Sequence, residues 1–149
     1  MSTRSDVTSY AHSSLLDYAE IPGDPRFLDA SLTAAYGWVS ANSTTLGDQP
    51  YLDILLPKRR WITGLRTLGN TFGGLGVTRF SVQINSFTML EKTTNGPVFT
   101  SNADACVSND SLFEYPVYAD MVRVTPLAWR RSRKLDAPGM RVGLLFCNN

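Results

Sequence analysis

The chain is poor in the residues that enzymes and metal sites most often use for chemistry. Its 149 residues include one histidine, His12, and two cysteines, Cys106 and Cys147. His12 lies in a polar N-terminal stretch, where a nucleophile–histidine–acid triad would not be enclosed. Zinc sites need closely spaced histidines and cysteines, and the sequence has no such cluster. We therefore expect a protein that is not an enzyme and needs no cofactor.

Long apolar runs are also missing. No stretch of 18 apolar residues predicts a membrane-spanning helix, and the polar N-terminus lacks the apolar core of a signal peptide. This predicts a cytoplasmic protein with two free thiols, Cys106 and Cys147. The formal net charge is only +1, so no global field attracts nucleic acid, and we expect no DNA binding.

Short apolar segments do occur throughout the chain, separated by glycine, asparagine and proline. Helical periodicity is confined to residues 14–21, whereas 77–85 alternate apolar and polar positions almost strictly. Residues 51–57 predict a buried strand that ends at Pro57, and 59–69 predict an irregular strand. Many short strands joined by such loops predict an all-β sandwich or barrel. The chain is long enough for one domain, which we place at 26–149, preceded by an N-terminal arm at 1–25.

Eight motifs follow one another in order between residues 29 and 147. They are DAS at 29–31, YGWVSAN at 36–42, QPYLDILLP at 49–57, WITGLRTLG at 61–69, GVTRFSVQINS at 76–86, VFTSNADA at 98–105, YADMVRVTPLAW at 118–129 and MRVGLLFC at 140–147. Together they resemble the discoidin domain, also called the coagulation-factor type C domain. The resemblance implies a jelly-roll β-sandwich of about eight antiparallel core strands with an N-terminal extension.

The resemblance also implies roles for single residues. Pro126 would end a core strand, and Trp129 would be buried as a cover over the end of the barrel. Arg123 and Arg141 would pair with backbone or acid at the sheet edge. The cysteine expected near residue 25 is absent, which again favours free thiols.

Ligands of this type of family bind loops at one end of the sandwich, which here would be 32–49, 69–76 and 101–111. Aromatic rings, amides, a carboxylate and guanidinium groups in or beside these loops suit sugar binding. The candidate residues are Tyr36, Trp38, Asn42, Arg66, Asn70, Phe72, Leu75, Arg79, Asn102 and Asp104. Trp38 has an equal alternative as a buried residue beneath the first loop, while Phe72 and Leu75 are expected to be exposed. Calcium is an alternative that no dense acidic loop supports, because Asp48 and Asp104 lie far apart.

Two functions remain open. In the first, the chain is an intracellular interaction subunit of a larger assembly, such as a ciliary or cytoskeletal complex, and docks through its arm and loops. A basic segment would then meet an acidic partner, although a solvated surface is its common alternative; it comprises Arg130, Arg131, Arg133 and Lys134. In the second, the chain is a soluble lectin for galactose-type glycans. An oligomer is compatible with both.

Overall fold

A computed structural model of the chain describes residues 9–13, 29–34, 36–41, 49–71, 75–101, 104–131 and 136–147. The regular secondary structure of these residues consists entirely of β-strands. The strands are β1 (Ser9–His12), β2 (Trp38–Val39), β3 (Leu52–Gly69), β4 (Gly76–Ile84), β5 (Phe87–Thr88), β6 (Phe99–Thr100), β7 (Asn109–Arg130) and β8 (Gly139–Phe146). The predicted all-β fold is confirmed. The helix predicted at 14–21 lies outside the described residues.

The strands pair antiparallel in the order β2-β8-β3-β7-β4-β5, with β1 beside β3 and β6 beside β4. Strands β3 and β7 form one long ribbon, so the two strands predicted at 51–57 and 59–69 are a single strand. The first half of β3 pairs with β1, and the second half pairs with β8. The ribbon therefore passes from one layer of the sandwich into the other.

The ribbon changes layer at a break in its register. Leu55 pairs with Met121 and Arg60 pairs with Ala119, so four residues of β3 face a single residue of β7. Such extra residues bend a strand and increase its twist. We call residues 56–61 and 118–121 the corner. The corner lies in the middle of the ribbon, and the loops that precede β4 and β7 lie at one end of it.

The core lies between the two layers. Trp38, Phe80 and Phe99 are its largest fully buried side chains. The rings of Phe80 and Phe99 stack with centroids 5.5 Å apart, and Phe113 meets Phe99 edge-on at 5.9 Å. Such ring pairs contribute about 0.5–1.5 kcal/mol beyond the area they bury. The alternation predicted in 77–85 is confirmed, because Phe80 and Ile84 are buried.

The prediction that a strand ends at Pro126 is wrong. Strand β7 continues to Arg130, and Pro126 pairs with Phe80 beside two register shifts in the ladder to β4. A proline is tolerated at such a bulge because its missing N–H breaks no regular ladder hydrogen bond. Its carbonyl accepts a hydrogen bond from Gln49 Nε2 at 3.0 Å.

Trp129 does not cover the end of a barrel either. It is half-buried, and its indole N–H donates to Asp136 Oδ1 at 2.9 Å. Tryptophan commonly keeps a polar partner at a partly exposed position in this way. The buried tryptophan of the core is Trp38.

Part of the predicted arm belongs to the sandwich. Ser9 to His12 form β1, which pairs with Leu52 to Leu55 of β3. Tyr10 packs against the core, and its hydroxyl donates to the carbonyl of Val142 on β8 at 3.0 Å. Strand β1 therefore links the two layers. The domain boundary at residue 25 stays a prediction.

No helix among the residues described is long and apolar enough to cross a membrane.

Candidate functional site

The buried side chain of Arg141 joins the three predicted loops at one end of the sandwich. Its Nε donates to the carbonyl of Gly69 at 3.0 Å, its Nη1 to Leu32 at 3.4 Å and its Nη2 to Ala105 at 2.5 Å. Each acceptor belongs to a different loop, and Arg141 is only 8% exposed. We call this surface the loop end; its described residues are 32–34, 36–41, 69–71 and 104–107. One guanidinium thus positions three segments that are distant in sequence.

Backbone hydrogen bonds connect the same loops directly. The amide of Gly69 donates to the carbonyl of Asp104 at 2.7 Å, and the amide of Thr71 donates to the carbonyl of Tyr36 at 3.2 Å. The side-chain amide of Asn70 donates to the carbonyl of Trp38 at 3.2 Å. The loops therefore have a defined arrangement at their base.

Gly37 makes the close approach of the first loop possible. Its φ is +101°, in the region that favours glycine. A Cβ at this position would lie 2.7 Å from Cγ of Arg141 and 2.9 Å from the carbonyl oxygen of Met140. The glycine between Tyr36 and Trp38 is thus required by the packing around Arg141.

Asp104 organises the third loop. Its Oδ1 accepts hydrogen bonds from the amides of Cys106 at 2.7 Å and Val107 at 3.1 Å. These two N–H donors, with a smaller contribution from the charge of Arg130, hold the pKa of Asp104 below its ordinary value. The carboxylate is therefore ionised at neutral pH and closes a turn between β6 and β7.

Three candidate residues are buried and have no surface to offer a ligand. Trp38 and Leu75 are fully buried, and Asn70 is 1% exposed. The expectation that Leu75 is exposed is wrong, because it packs at the start of β4. Asn70 satisfies the buried carbonyl of Trp38, which is a structural role. For Trp38, the alternative of a buried position is the one observed.

The remaining described candidates differ in position. Tyr36 is 37% exposed at the loop end, and Arg79 is exposed on β4. Arg66 lies on β3 and forms a bidentate ion pair with Asp110, at 2.7 and 2.9 Å. Its guanidinium is thereby oriented along the sheet surface. Asn42, Phe72 and Asn102 lie outside the described residues.

The predicted basic segment is partly described. Arg130 ends β7 and is exposed, and its charge contributes to lowering the pKa of Asp104. Arg131 Nε lies 3.3 Å from Asp136 Oδ1, so its charge is partly neutralised. Arg133 and Lys134 fall in the undescribed part of the chain. The structure thus places Arg130 beside the loop end.

The expectation that Arg141 pairs with backbone is confirmed, but sequence reasoning placed it at the sheet edge and missed that it joins three loops. The available signal was a single charge within the apolar strand MRVGLLF, because a charge inside a buried strand must find hydrogen-bond partners. Thr71 was placed in the second loop but not among the candidate residues, and Val107 was not singled out; both are exposed at the loop end. In the sequence, Thr71 adjoins the candidates Asn70 and Phe72.

The described residues contain no group of three or more His, Cys, Asp or Glu side chains that could hold a metal ion. Cys106 is exposed and Cys147 half-buried, and both are free thiols. The chemistry of the loop end therefore rests on a phenol ring, hydroxyls, one carboxylate, one guanidinium and backbone groups.

No family model matches the chain, and no curated protein sequence matches it. Solved structures do. The family 32 carbohydrate-binding module of NanJ from Clostridium perfringens, solved in complex with galactose, has a TM-score of 0.61 at 14% identity, covering 94% of this chain and 93% of that one. An F5/8 type C domain from Bacteroides fragilis has a TM-score of 0.63 at 15% identity, covering 93% and 94%. Discoidin II from Dictyostelium discoideum has a TM-score of 0.58 at 15% identity; the match covers 93% of this chain but 53% of discoidin II. The chain therefore has the discoidin-type β-sandwich fold that its motifs predicted.

Proposed function

We propose that this chain is a non-catalytic binding module that binds galactose-type glycans at the loop end. The observation that carries the proposal is the single buried guanidinium of Arg141, which holds three loops in one surface. Loops fixed on a rigid sandwich are a common way to build a binding site. The likeness to a galactose-bound module from Clostridium perfringens supports the choice of ligand.

The exposed groups of the loop end suit a neutral sugar. The ring of Tyr36 offers an apolar face for the C–H groups of a pyranose, and Val107 adds apolar surface. Thr71 is exposed at the loop end and Arg130 is exposed beside it, and a hydroxyl and a guanidinium are the kinds of group that bond sugar hydroxyls. One aromatic contact and a few hydrogen bonds correspond to weak affinity, with a Kd of about 1 mM.

The glycan-binding function was the alternative at the level of sequence, where an assembly subunit was the main expectation. The comparisons do not support the assembly subunit, and the glycan-binding alternative fits them better. The cytoplasmic, ciliary or cytoskeletal location and the oligomeric state remain predictions. The same holds for docking through the arm and the basic segment.

Calorimetric titration with galactose tests the proposal, with glucose as the comparison sugar. We expect saturable binding of galactose and weaker binding of glucose. Tyr36→Ala should weaken galactose binding roughly tenfold, because the stacking surface is lost. Tyr115→Ala is the matched control, since Tyr115 is an exposed tyrosine on β7 away from the loop end.

Two results would refute the proposal. One is the absence of saturable binding of galactose by the folded wild-type protein. The other is binding that Tyr36→Ala and Tyr115→Ala reduce equally, because the loop end would then have no special part in it.

A further inference from the structure

The corner, in the middle of the ribbon and away from the loops, carries an exposed aromatic pair. Trp61 and Tyr118 face each other across β3 and β7, with ring centroids 5.4 Å apart and ring planes inclined at 48°. Trp61 is 50% exposed and Tyr118 is 49% exposed. Two large rings that remain open together on a sheet surface indicate a contact surface.

Cationic side chains accompany the rings. Leu56 is buried and anchors the bulged segment of β3, while Pro57, Lys58 and Arg59 are exposed. Among the described residues, neither Lys58 nor Arg59 forms an ion pair with a carboxylate. The single β7 residue opposite the bulge is Asp120. The corner therefore has local positive charge, whereas the whole chain is close to neutral.

The backbone beneath the rings is well supported. The guanidinium of Arg60 stacks 3.7 Å above the centroid of the Phe146 ring on β8. The amide of Cys147 donates to the carbonyl of Trp61 at 3.1 Å. These contacts hold the bulged strand against β8, so the rings and cations are presented on a fixed base.

The corner is separate from the loop end. Trp61 precedes Gly69 by eight residues of β3, which corresponds to about 25 Å of extended strand. A small ligand at the loop end cannot reach it. The corner therefore needs an explanation of its own.

Aromatic faces beside unpaired cations suit sugar rings that carry negative charge. The rings stack on the C–H face of a pyranose, and the ammonium and guanidinium groups bind its carboxylate or sulfate. Nucleic acid requires a continuous basic groove along its backbone, and the net charge is only +1. A stable protein interface covers about 800 Å² on each partner, and the features of the corner that point to a ligand are only two rings and two cations.

We propose that the corner binds acidic polysaccharides, with Trp61 and Tyr118 stacking on the sugar and Lys58 and Arg59 binding its anionic groups. This goes beyond the proposed function, because it concerns a second site and a charged ligand. It does not depend on galactose binding, so either proposal can fail while the other holds.

Calorimetric titration of the full chain at low salt tests the proposal with four polymers. Polygalacturonate carries carboxylates, heparin carries mainly sulfates, dextran is neutral, and poly-L-glutamate is an acidic chain without sugar. We expect at least one acidic polysaccharide to bind, dextran not to bind, and poly-L-glutamate to bind at least tenfold more weakly. The two acidic polysaccharides distinguish carboxylate from sulfate recognition.

Variants locate the site. Replacing both cations in Lys58→Gln/Arg59→Gln, or the ring in Trp61→Ala, should each weaken binding roughly tenfold. Phe87→Ala and Lys92→Gln are the controls, because both side chains are exposed outside the corner. Thermal melts confirm folding, and the cation variant changes only exposed side chains on the bulge.

Four results would overturn the proposal. The first is that neither acidic polysaccharide binds, and the second is that binding persists in both corner variants. The third is that binding depends on the cations but not on Trp61. The fourth is that poly-L-glutamate binds as tightly as the polysaccharides. The last result would assign the corner to an acidic protein partner.

Discussion

At the scale of single residues, Arg141 matters most for the site. A buried charge is costly unless it is fully hydrogen-bonded, and bonds to a charged donor are about twice as strong as neutral ones. Its described partners are three backbone carbonyls on three loops. The same side chain thus satisfies buried acceptors and sets the shape of the loop end.

Arg141→Gln should lower the free energy of unfolding by about 3 kcal/mol, because the shorter amide leaves buried carbonyls without a donor. Urea denaturation measures the loss. Arg66→Gln is the matched control, since its ion pair with Asp110 is nearly half exposed and is worth less than about 1 kcal/mol. Equal losses in the two variants would contradict a central role for Arg141.

Asp104 should make the third loop sensitive to acid. Backbone donors hold its native pKa below the ordinary value of 3.8, so the stability it contributes is present above that pH. This contribution is lost as the pH falls through the lower native pKa. The amides of Cys106 and Val107 should therefore titrate in NMR spectra with a midpoint below 3.8.

Asp104→Asn is the control for this titration. The amide oxygen still accepts hydrogen bonds but does not ionise, so the titration of both amides should disappear. A wild-type midpoint at or above 3.8 would show that the turn does not stabilise the carboxylate.

At the scale of elements, the long ribbon of β3 and β7 explains why local sequence signals misplaced strand ends. Pro57 and Pro126 were both expected to end a strand, because proline has no N–H to donate a hydrogen bond to the neighbouring strand. Each instead lies at or beside a bulge, where the ladder is already interrupted. Bulges depend on how two strands meet, and a single strand's sequence does not reveal its partner's register.

Strand β1 should stabilise the sandwich although it lies far from the core strands in sequence. Tyr10→Ala should cost about 3 kcal/mol, since it removes a ring packed against the core. Tyr10→Phe should cost about 1 kcal/mol, since only the hydrogen bond to Val142 is lost. Chemical denaturation measures both losses.

The exposed neighbour Ser9 provides the control, and Ser9→Ala should change stability by less than about 0.5 kcal/mol.

Burial raises the pKa of the Tyr10 phenol, with a smaller effect from Asp29. The stabilisation by Tyr10 is therefore fully present below its ordinary pKa of 10.0 and decreases as the pH rises toward the native value. A Tyr10→Ala variant as stable as Ser9→Ala would show that β1 does not hold the layers together.

At the scale of the whole molecule, one core is shared by both layers of the sandwich. Residues from β3, β4, β7 and β8 all contribute to it. Unfolding in urea should therefore be a single cooperative transition. Tryptophan fluorescence and far-ultraviolet circular dichroism should give coincident curves, and separate midpoints would indicate that the layers unfold independently.

The fold was predictable from the order of eight motifs, because each marks a strand or turn of the same sandwich. The site was predictable only as three loops. Tyr36 and Asp104 lie at the loop end as expected, whereas Trp38, Asn70 and Leu75 are buried. Aromatic and amide side chains serve equally well in a core or on a surface. Which role they take depends on packing around Arg141 and Gly37, which is set by contacts between distant loops.

The most direct test of the central claim is to map galactose on the assigned NMR spectrum of the folded chain. A glycan site at the loop end predicts saturable shifts that cluster at Tyr36, Thr71 and Val107, with no cluster at Trp61 or Tyr118. Saturable shifts centred elsewhere, or none as galactose is raised well above about 1 mM, would contradict a glycan site at the loop end.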